Sequence, residues 1–359
     1  MNPLDLDRAG WEALMTSWGE PAYNGRQVHA GLWGRAVDYD AMTDLPGALR
    51  ARLARELAVP VEVPVEREAD GGATRKGLLR LGGRHLVEAV LMGYRDRVTV
   101  CVSSQAGCAM DCAFCATGKM GLLGNLSAGE IAAQVRWARA AAARLPSTTP
   151  RRLTNVVFMG MGEPMSNYRA VRDAISRMLD PEGLALGARH VTVSTVGVVP
   201  GIRRLAEDHP QVGLAVSLHA ADDELRSRLV PSNCMWPIAS VERAIADWRG
   251  HTGRRPSIEW AMIRDVNDDD RQARLLAPIV HRLHAHVNLI PMNPIDGSAW
   301  RPSPPERMDG FVGVLRSQGV RVTVRDTRGR EIDAACGQLR LAHDPPLPVA
   351  LSSRPVAGN

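Results

Sequence analysis

The chain has 359 residues, 45% hydrophobic and 23% charged, so it can bury a substantial core as one barrel-sized domain with an appendage or as two domains. No apolar run approaches the ~20 residues that cross a bilayer, Met1–Asp5 lacks the basic and apolar regions of a signal peptide, and six cysteines are too sparse for a disulfide scaffold; a cytoplasmic protein without membrane contact is expected. The net charge of +5 is carried almost entirely by arginine, with Lys76 and Lys119 the only lysines, and fits either a polyanionic partner or an Arg-rich genomic composition.

Residues 1–60 read as helices, with apolar residues at helical spacing in Gln27–Leu32 and Leu49–Leu57 and turns at Asn24-Gly25 and Leu45-Pro46-Gly47. From Val59 the pattern alternates and is interrupted by Gly pairs at 71–72 and 82–83, which predicts a β-hairpin extension over 61–97. A strand/helix alternation then begins at Val98. Ser127-Ala-Gly-Glu130 forms a capping box for a helix to about Leu145. Strands are predicted at Asn155–Phe158, Val191–Thr195, Val212–Leu218, Ser257–Met262, His286–Ile290 and Arg321–Arg325, with helices between them. Six or seven β/α units over 98–343 predict an α/β fold with a parallel sheet, open or closed into a barrel, whose ligands sit at the C-terminal strand ends. The Pro- and Ser-rich tail, 344–359, is expected to be disordered.

Charge is unevenly spread. Arg75, Lys76, Arg80, Arg84, Arg95 and Arg97 stand against only Glu88 and Asp96 between Gly71 and Val100, and residues 131–160 hold five arginines and no acid. A basic face over these segments would suit a polyanion.

The densest chemistry is Cys108-Ala-Met-Asp-Cys112-Ala-Phe-Cys115, on a loop after the first core strand. Zinc would want a fourth protein ligand, and none is apparent. Three thiolates can instead hold a four-iron cluster whose fourth iron takes an outside ligand, a departure from four-cysteine ligation. The motif resembles the signature of the radical S-adenosylmethionine (SAM) superfamily, with Phe114 at its aromatic position. The resemblance implies a partial (β/α)6-type barrel and a [4Fe-4S] cluster on Cys108, Cys112 and Cys115. It also implies SAM contacts from later strand ends: Gly162 and Glu163 in the Gly-Glu motif, then Ser194, Ser217, Leu218, His219 and Asn293.

Two further cysteines lie outside the triplet, Cys101 seven residues before it and Cys336 in Asp333-Ala-Ala-Cys-Gly-Gln338. Together with Gly25–Trp33, Met42–Leu45, Val87–Val90, Gly118–Gly121 and Ser217–Ala220, they make nearly the whole chain resemble the RlmN/Cfr family of radical SAM RNA methyltransferases, its RlmN branch above all.

That resemblance implies methylation of adenine carbon 2 in 23S rRNA at the peptidyl transferase centre, and of the adenine 3′ of the anticodon in some tRNAs. Cfr-type enzymes act on carbon 8. By resemblance, Cys336 takes a methyl from one SAM, a second SAM yields the radical that activates that methyl, Cys101 removes the ring proton, and a transient Cys101–Cys336 disulfide is reduced. Glu88 matches a position assigned as proton acceptor. The N-terminal helices, 1–60, would hold RNA. The resemblance further implies an electron donor such as flavodoxin or ferredoxin and a monomeric protein. Val230-Pro-Ser-Asn-Cys-Met-Trp236 departs from the family pattern, and Cys234 is expected to be structural. A radical SAM enzyme on a non-RNA substrate and a non-catalytic Fe–S redox or RNA-binding protein are the rival readings.

Overall fold

The computed structural model describes residues 2–293, 298–325 and 338–343. Cys336 and the tail from Asp344 therefore lie outside the described residues.

The N-terminal part is helical: Arg8–Ser17, Ala22–His29, a π-turn at Ala30–Arg35, and Gly47–Glu56. Asp7 caps the first helix by accepting the Gly10 N–H at 2.7 Å. Trp11, Met15, Leu32, Trp33, Met42 and Leu53 are buried in one continuous core with the rest of the chain. Polar clamps fix the seam. Asp5 accepts the Gly129 N–H at 2.9 Å, and Arg177 donates to the carbonyls of Leu4 and Leu6. The helical part thus packs on the outside of the first two barrel helices, Ala128–Ala142 and Tyr168–Leu179.

β1 (Val61–Ala69), β2 (Thr74–Leu81) and β3 (His85–Gly93) form an antiparallel meander. β3 pairs antiparallel with β4 (Val98–Cys101), so the meander is hydrogen-bonded directly into the main sheet. β5 (Gln105–Gly107) and β6 (Leu122–Asn125) make a separate two-stranded ribbon around the cysteine loop. From β4 the sheet runs parallel through β7 (Asn155–Phe158), β8 (Val191–Thr195), β9 (Gly213–Ser217), β10 (Ser257–Met262), β11 (His286–Pro291) and β12 (Val322–Val324). The order β1-β2-β3-β4-β7-β8-β9-β10-β11-β12 is open-ended, a partial barrel rather than a closed one. Parallel strands are covered by helices on their outer face, which explains why Val156, Val193, Leu214, Ile258 and Val287 are fully or almost fully buried. Among the described residues no helix is long and apolar enough to cross a membrane.

The meander corrects the charge reading. Arg75 is buried and bound to Glu66 and Glu68, and Lys76 is enclosed against Glu88. The two side chains leave the strand on opposite faces, yet each is buried and paired with carboxylate, so neither contributes to a surface patch. Arg84, Arg95 and Arg97 remain exposed.

Candidate active site

A cavity of about 350 Å³ opens at the C-terminal ends of the parallel strands. That is where the chain crosses from strand to helix and where backbone and short polar side chains are available to a ligand.

The cysteine loop forms one wall. It is fixed by the β5/β6 ribbon, whose hinge is Gly107 at φ +74°; a Cβ there would lie 1.9 Å from the Gly121 carbonyl oxygen. The Cys108 N–H donates to that same oxygen at 2.9 Å, and the Ala113 N–H donates to the Leu229 carbonyl at 3.0 Å. Cys112 and Cys115 line the cavity; Cys108 is buried beside them. Apolar neighbours, among them Phe114, Leu225, Leu229 and Met292, exclude water from this wall. Burial pushes all three thiols up, Cys108 to about 12, and each lies within electrostatic reach of another. A bound metal reverses that preference by stabilising thiolate. Among the described residues no group of three or more His, Cys, Asp or Glu is gathered to hold a metal ion. A donor set of three thiols in an apolar wall fits an iron–sulfur cluster rather than a hard cation.

Glu163 sits at the turn after β7, beside Gly162. Gly162 has φ +96°, and a Cβ there would lie 2.5 Å from the Gln105 side chain. The two Glu163 oxygens accept the N–H groups of Met165 and Val196, each at 2.9 Å. Burial outweighs these bonds and raises its pKa to about 7.

Ser194, next to last in β8, and Ser217, last in β9, have their hydroxyl oxygens 3.4 Å apart, and Asn293 lies beyond β11; all three line the cavity. His219 lines it too, at φ +62°, edge-on to Phe114 at 4.7 Å. Its Nδ1 accepts the Ala261 N–H at 2.9 Å, and burial with the charge of Arg226 pushes its pKa to about 3. The ring is therefore neutral, with its proton on Nε2. Leu218 is not brought to the cavity. Its N–H donates to the Glu259 carbonyl, its own carbonyl accepts from Arg226, and its side chain is in the core.

Cys101, at the end of β4, and Glu88, on β3, both line the cavity. Burial pushes the Cys101 thiol up, while Arg325 and a backbone bond to Met159 act in the opposite direction. Glu88 is 1% exposed; its Oε2 lies 3.0 Å from Lys76 Nζ and its Oε1 accepts the Arg340 N–H at 2.7 Å.

Sequence reasoning missed Thr195, Glu259 and Arg325 in the cavity wall. A carboxylate inside the apolar strand Ser257–Met262 was a usable signal for Glu259. It also missed Asn267, fully buried, whose side chain bonds the carbonyls of His219 and Ala261 and the Ile263 N–H. Cys234 is exposed on a turn, against the expectation of a structural thiol: Pro231 and the bond from Arg226 to Asn233 turn the chain outward there.

The partial barrel and the thiol-walled cavity at its strand ends are those of a radical SAM enzyme. The radical SAM superfamily model matches residues 102–275, and a ribosomal RNA large subunit methyltransferase N-terminal domain model matches residues 1–59. The chain is 54% identical over 346 residues to a probable dual-specificity RNA methyltransferase RlmN of Salinispora tropica, covering 95% of this chain and 93% of the relative. It is 52% identical to the protein of the same description from Thermobifida fusca, covering 93% of each. A crystal structure of a radical SAM methyltransferase from Sphaerobacter thermophilus superposes with TM-score 0.89 at 47% identity, covering 94% of this chain and 98% of that one. The chain belongs to the RlmN family of radical SAM RNA methyltransferases. Membership implies a [4Fe-4S] cluster, SAM and an RNA substrate.

Proposed function

We propose that this protein methylates carbon 2 of an adenine in 23S rRNA, and the corresponding carbon of the adenine 3′ of the anticodon in some tRNAs, by way of a methylated Cys336. The observation that carries the reading is the position of Cys101: a thiol outside the cluster triplet that nonetheless opens onto the same cavity. The description of the relatives as dual-specificity RNA methyltransferases supports two RNA classes.

Cys108, Cys112 and Cys115 would hold the cluster, and Gly162, Glu163, Ser194, Ser217, His219 and Asn293 would contact SAM. Bound together, cluster and SAM supply one-electron cleavage of a sulfonium bond, with two SAM consumed per turnover. The remaining work falls to this chain. Adenine carbon 2 is electron-poor and cannot displace a sulfonium methyl itself, so a thiolate takes the carbon first; Cys336 is that nucleophile. Cys101 accepts the ring proton. Glu88 is the second candidate for that role, but both its oxygens are already engaged by Lys76 and Arg340. Release of the methylated base leaves Cys101 and Cys336 joined, to be reopened by thiol reductant. His219 presents a neutral N–H donor to the cavity, and the apolar wall around Phe114 excludes water from a reactive radical site. The reading takes the protein to act in the cytoplasm as a monomer, with a flavodoxin- or ferredoxin-type electron donor.

The test is anaerobic reconstitution with SAM, reductant and protein-free 23S rRNA, followed by mass spectrometry of nucleosides. The expected product is 2-methyladenosine. Methylation at carbon 8 would replace the carbon-2 reading with the Cfr-like one. Formation of 5′-deoxyadenosine with no RNA product would overturn the RNA reading.

A further inference from the structure

A second cavity, of about 380 Å³, lies between the N-terminal helices and the barrel. Its floor is apolar, from Val135, Leu153, Leu184 and Leu186, and its walls carry Arg35, Arg139, Arg151 and Arg152, with no carboxylate in the lining. Arg35 is held by Asp44 at 2.9 Å, and Arg139 donates to the Trp33 carbonyl at 3.3 Å. Arg151 and Arg152 are exposed and form no ion pair among the described residues. Burial and the charge of Arg152 push the Arg139 guanidinium below its usual range. Two alanines in the lining, Ala36 and Ala185, have φ of +57° and +52°, a left-handed conformation that side chains disfavour.

The cavity lies at the N-terminal ends of the strands, opposite the catalytic one, and arginines continue along that edge. Arg152 precedes β7 by three residues, Arg189 precedes β8 by two, Arg254 and Arg255 come just before β10, and Arg321 comes just before β12. None of these forms an ion pair among the described residues; Arg189 bonds only the neutral Gln211 side chain. Arg254 feels the charge of Arg189, as His286 feels that of Arg255 and Arg321. Elsewhere on the surface some arginines, such as Arg8, Arg274 and Arg282, are paired with carboxylates, and others, such as Arg228 and Arg307, stand singly and not in a row. A row of unpaired like charges repels itself until an anion neutralises it.

We propose that the pocket at Arg139, Arg151 and Arg152, with the arginine row beyond it, is a second RNA-docking track that binds the phosphodiester backbone of the substrate. Its length favours a polymer over a free nucleotide. From β7 to β12 there are five strand intervals of ~4.8 Å, or ~24 Å, many times one phosphate. The strands themselves are only ~13–20 Å long, a distance that about six stacked base pairs cover, so one folded RNA reaches both ends of the barrel. The proposal rests on RNA being the substrate, but not on which carbon is modified.

The test compares the holoenzyme with its Arg151→Gln/Arg152→Gln variant in filter binding of tRNA between about 50 and 200 mM salt. Both side chains are exposed and unpaired, and an unchanged iron content and unfolding midpoint confirm the fold. The variant should bind about tenfold more weakly at low salt, its log–log salt slope should fall by about 1.5–2, and its methylation KM should rise with kcat held. Arg151→Lys/Arg152→Lys should keep the slope. Unchanged affinity and slope overturn the proposal. Saturable AMP binding that the variant loses while RNA affinity stays unchanged also overturns it, assigning the pocket to a free nucleotide. Wild-type protein that binds RNA with this arginine-dependent slope yet makes no methyladenosine supports the docking track and removes the functional reading instead.

Discussion

Lys76 Nζ lies 3.0 Å from Glu88 Oε2, and neither side chain meets solvent. The pair spans β2 and β3, and the other Glu88 oxygen takes the backbone N–H of Arg340 from the C-terminal helix Gln338–His343. Lys76 is thus a structural counter-ion, not an RNA contact.

Breaking that pair from one side leaves a buried carboxylate without its counter-charge. Lys76→Met should cost about 3–5 kcal/mol by urea denaturation, and Lys76→Met/Glu88→Leu should recover much of the loss. A loss under about 1 kcal/mol in the single variant would show that the enclosed pair does not hold the wall together.

Glu163 should give the ligand-free protein a distinctive pH dependence. Its folded pKa, about 7, stands above its ordinary 4.5, so folding favours the protonated form. Its contribution is fully present below pH 4.5 and is lost as pH rises through 7, a change on the order of 3 kcal/mol. Urea midpoints for wild type should fall from pH 5 to pH 8 relative to Glu163→Gln. Parallel curves would contradict the burial argument.

Gly107→Ala forces a side chain into the Gly121 carbonyl at a positive φ. We expect at least ~2 kcal/mol of destabilisation and fewer iron atoms per chain after reconstitution. Wild-type iron content would mean that the ribbon does not shape the cysteine loop.

If Cys101 is the base, Cys101→Ala should stop after the carbon has joined the RNA. A protein–RNA adduct should then accumulate, stable on a denaturing gel and absent in Cys336→Ala. Full methylation by Cys101→Ala would assign the proton to another group.

The repeated strands and helices were legible because each carries its own period. Asn155–Phe158, Tyr168–Leu179, Asp223–Leu229 and Ser257–Met262 stand where the pattern put them. The cysteine triplet was legible because its ligands are local. What escaped was set by distant partners. β5 and β6 are three and four residues long and exist only because they pair across the cysteine loop. Arg75 and Lys76 look like surface cations until the meander buries them. Leu218 sits between two cavity residues, yet alternation along a strand end turns it inward. Arg325 reaches the cavity only because β12 closes the parallel series.

The Arg340–Glu88 bond has a kinetic corollary. Arg325 donates its N–H to the Leu289 carbonyl at 2.8 Å, so Arg325 and Arg340 are each bonded to a strand of the main sheet. Cys336 precedes Arg340 by four positions, at most ~14 Å of polypeptide. On the proposed role of Cys336, a leash that short would present its thiol to Cys101 at an effective concentration of order millimolar or above, whatever the dilution of the enzyme. Coupling of the two sulfurs should accordingly be first-order in protein and indifferent to competing thiols at micromolar levels.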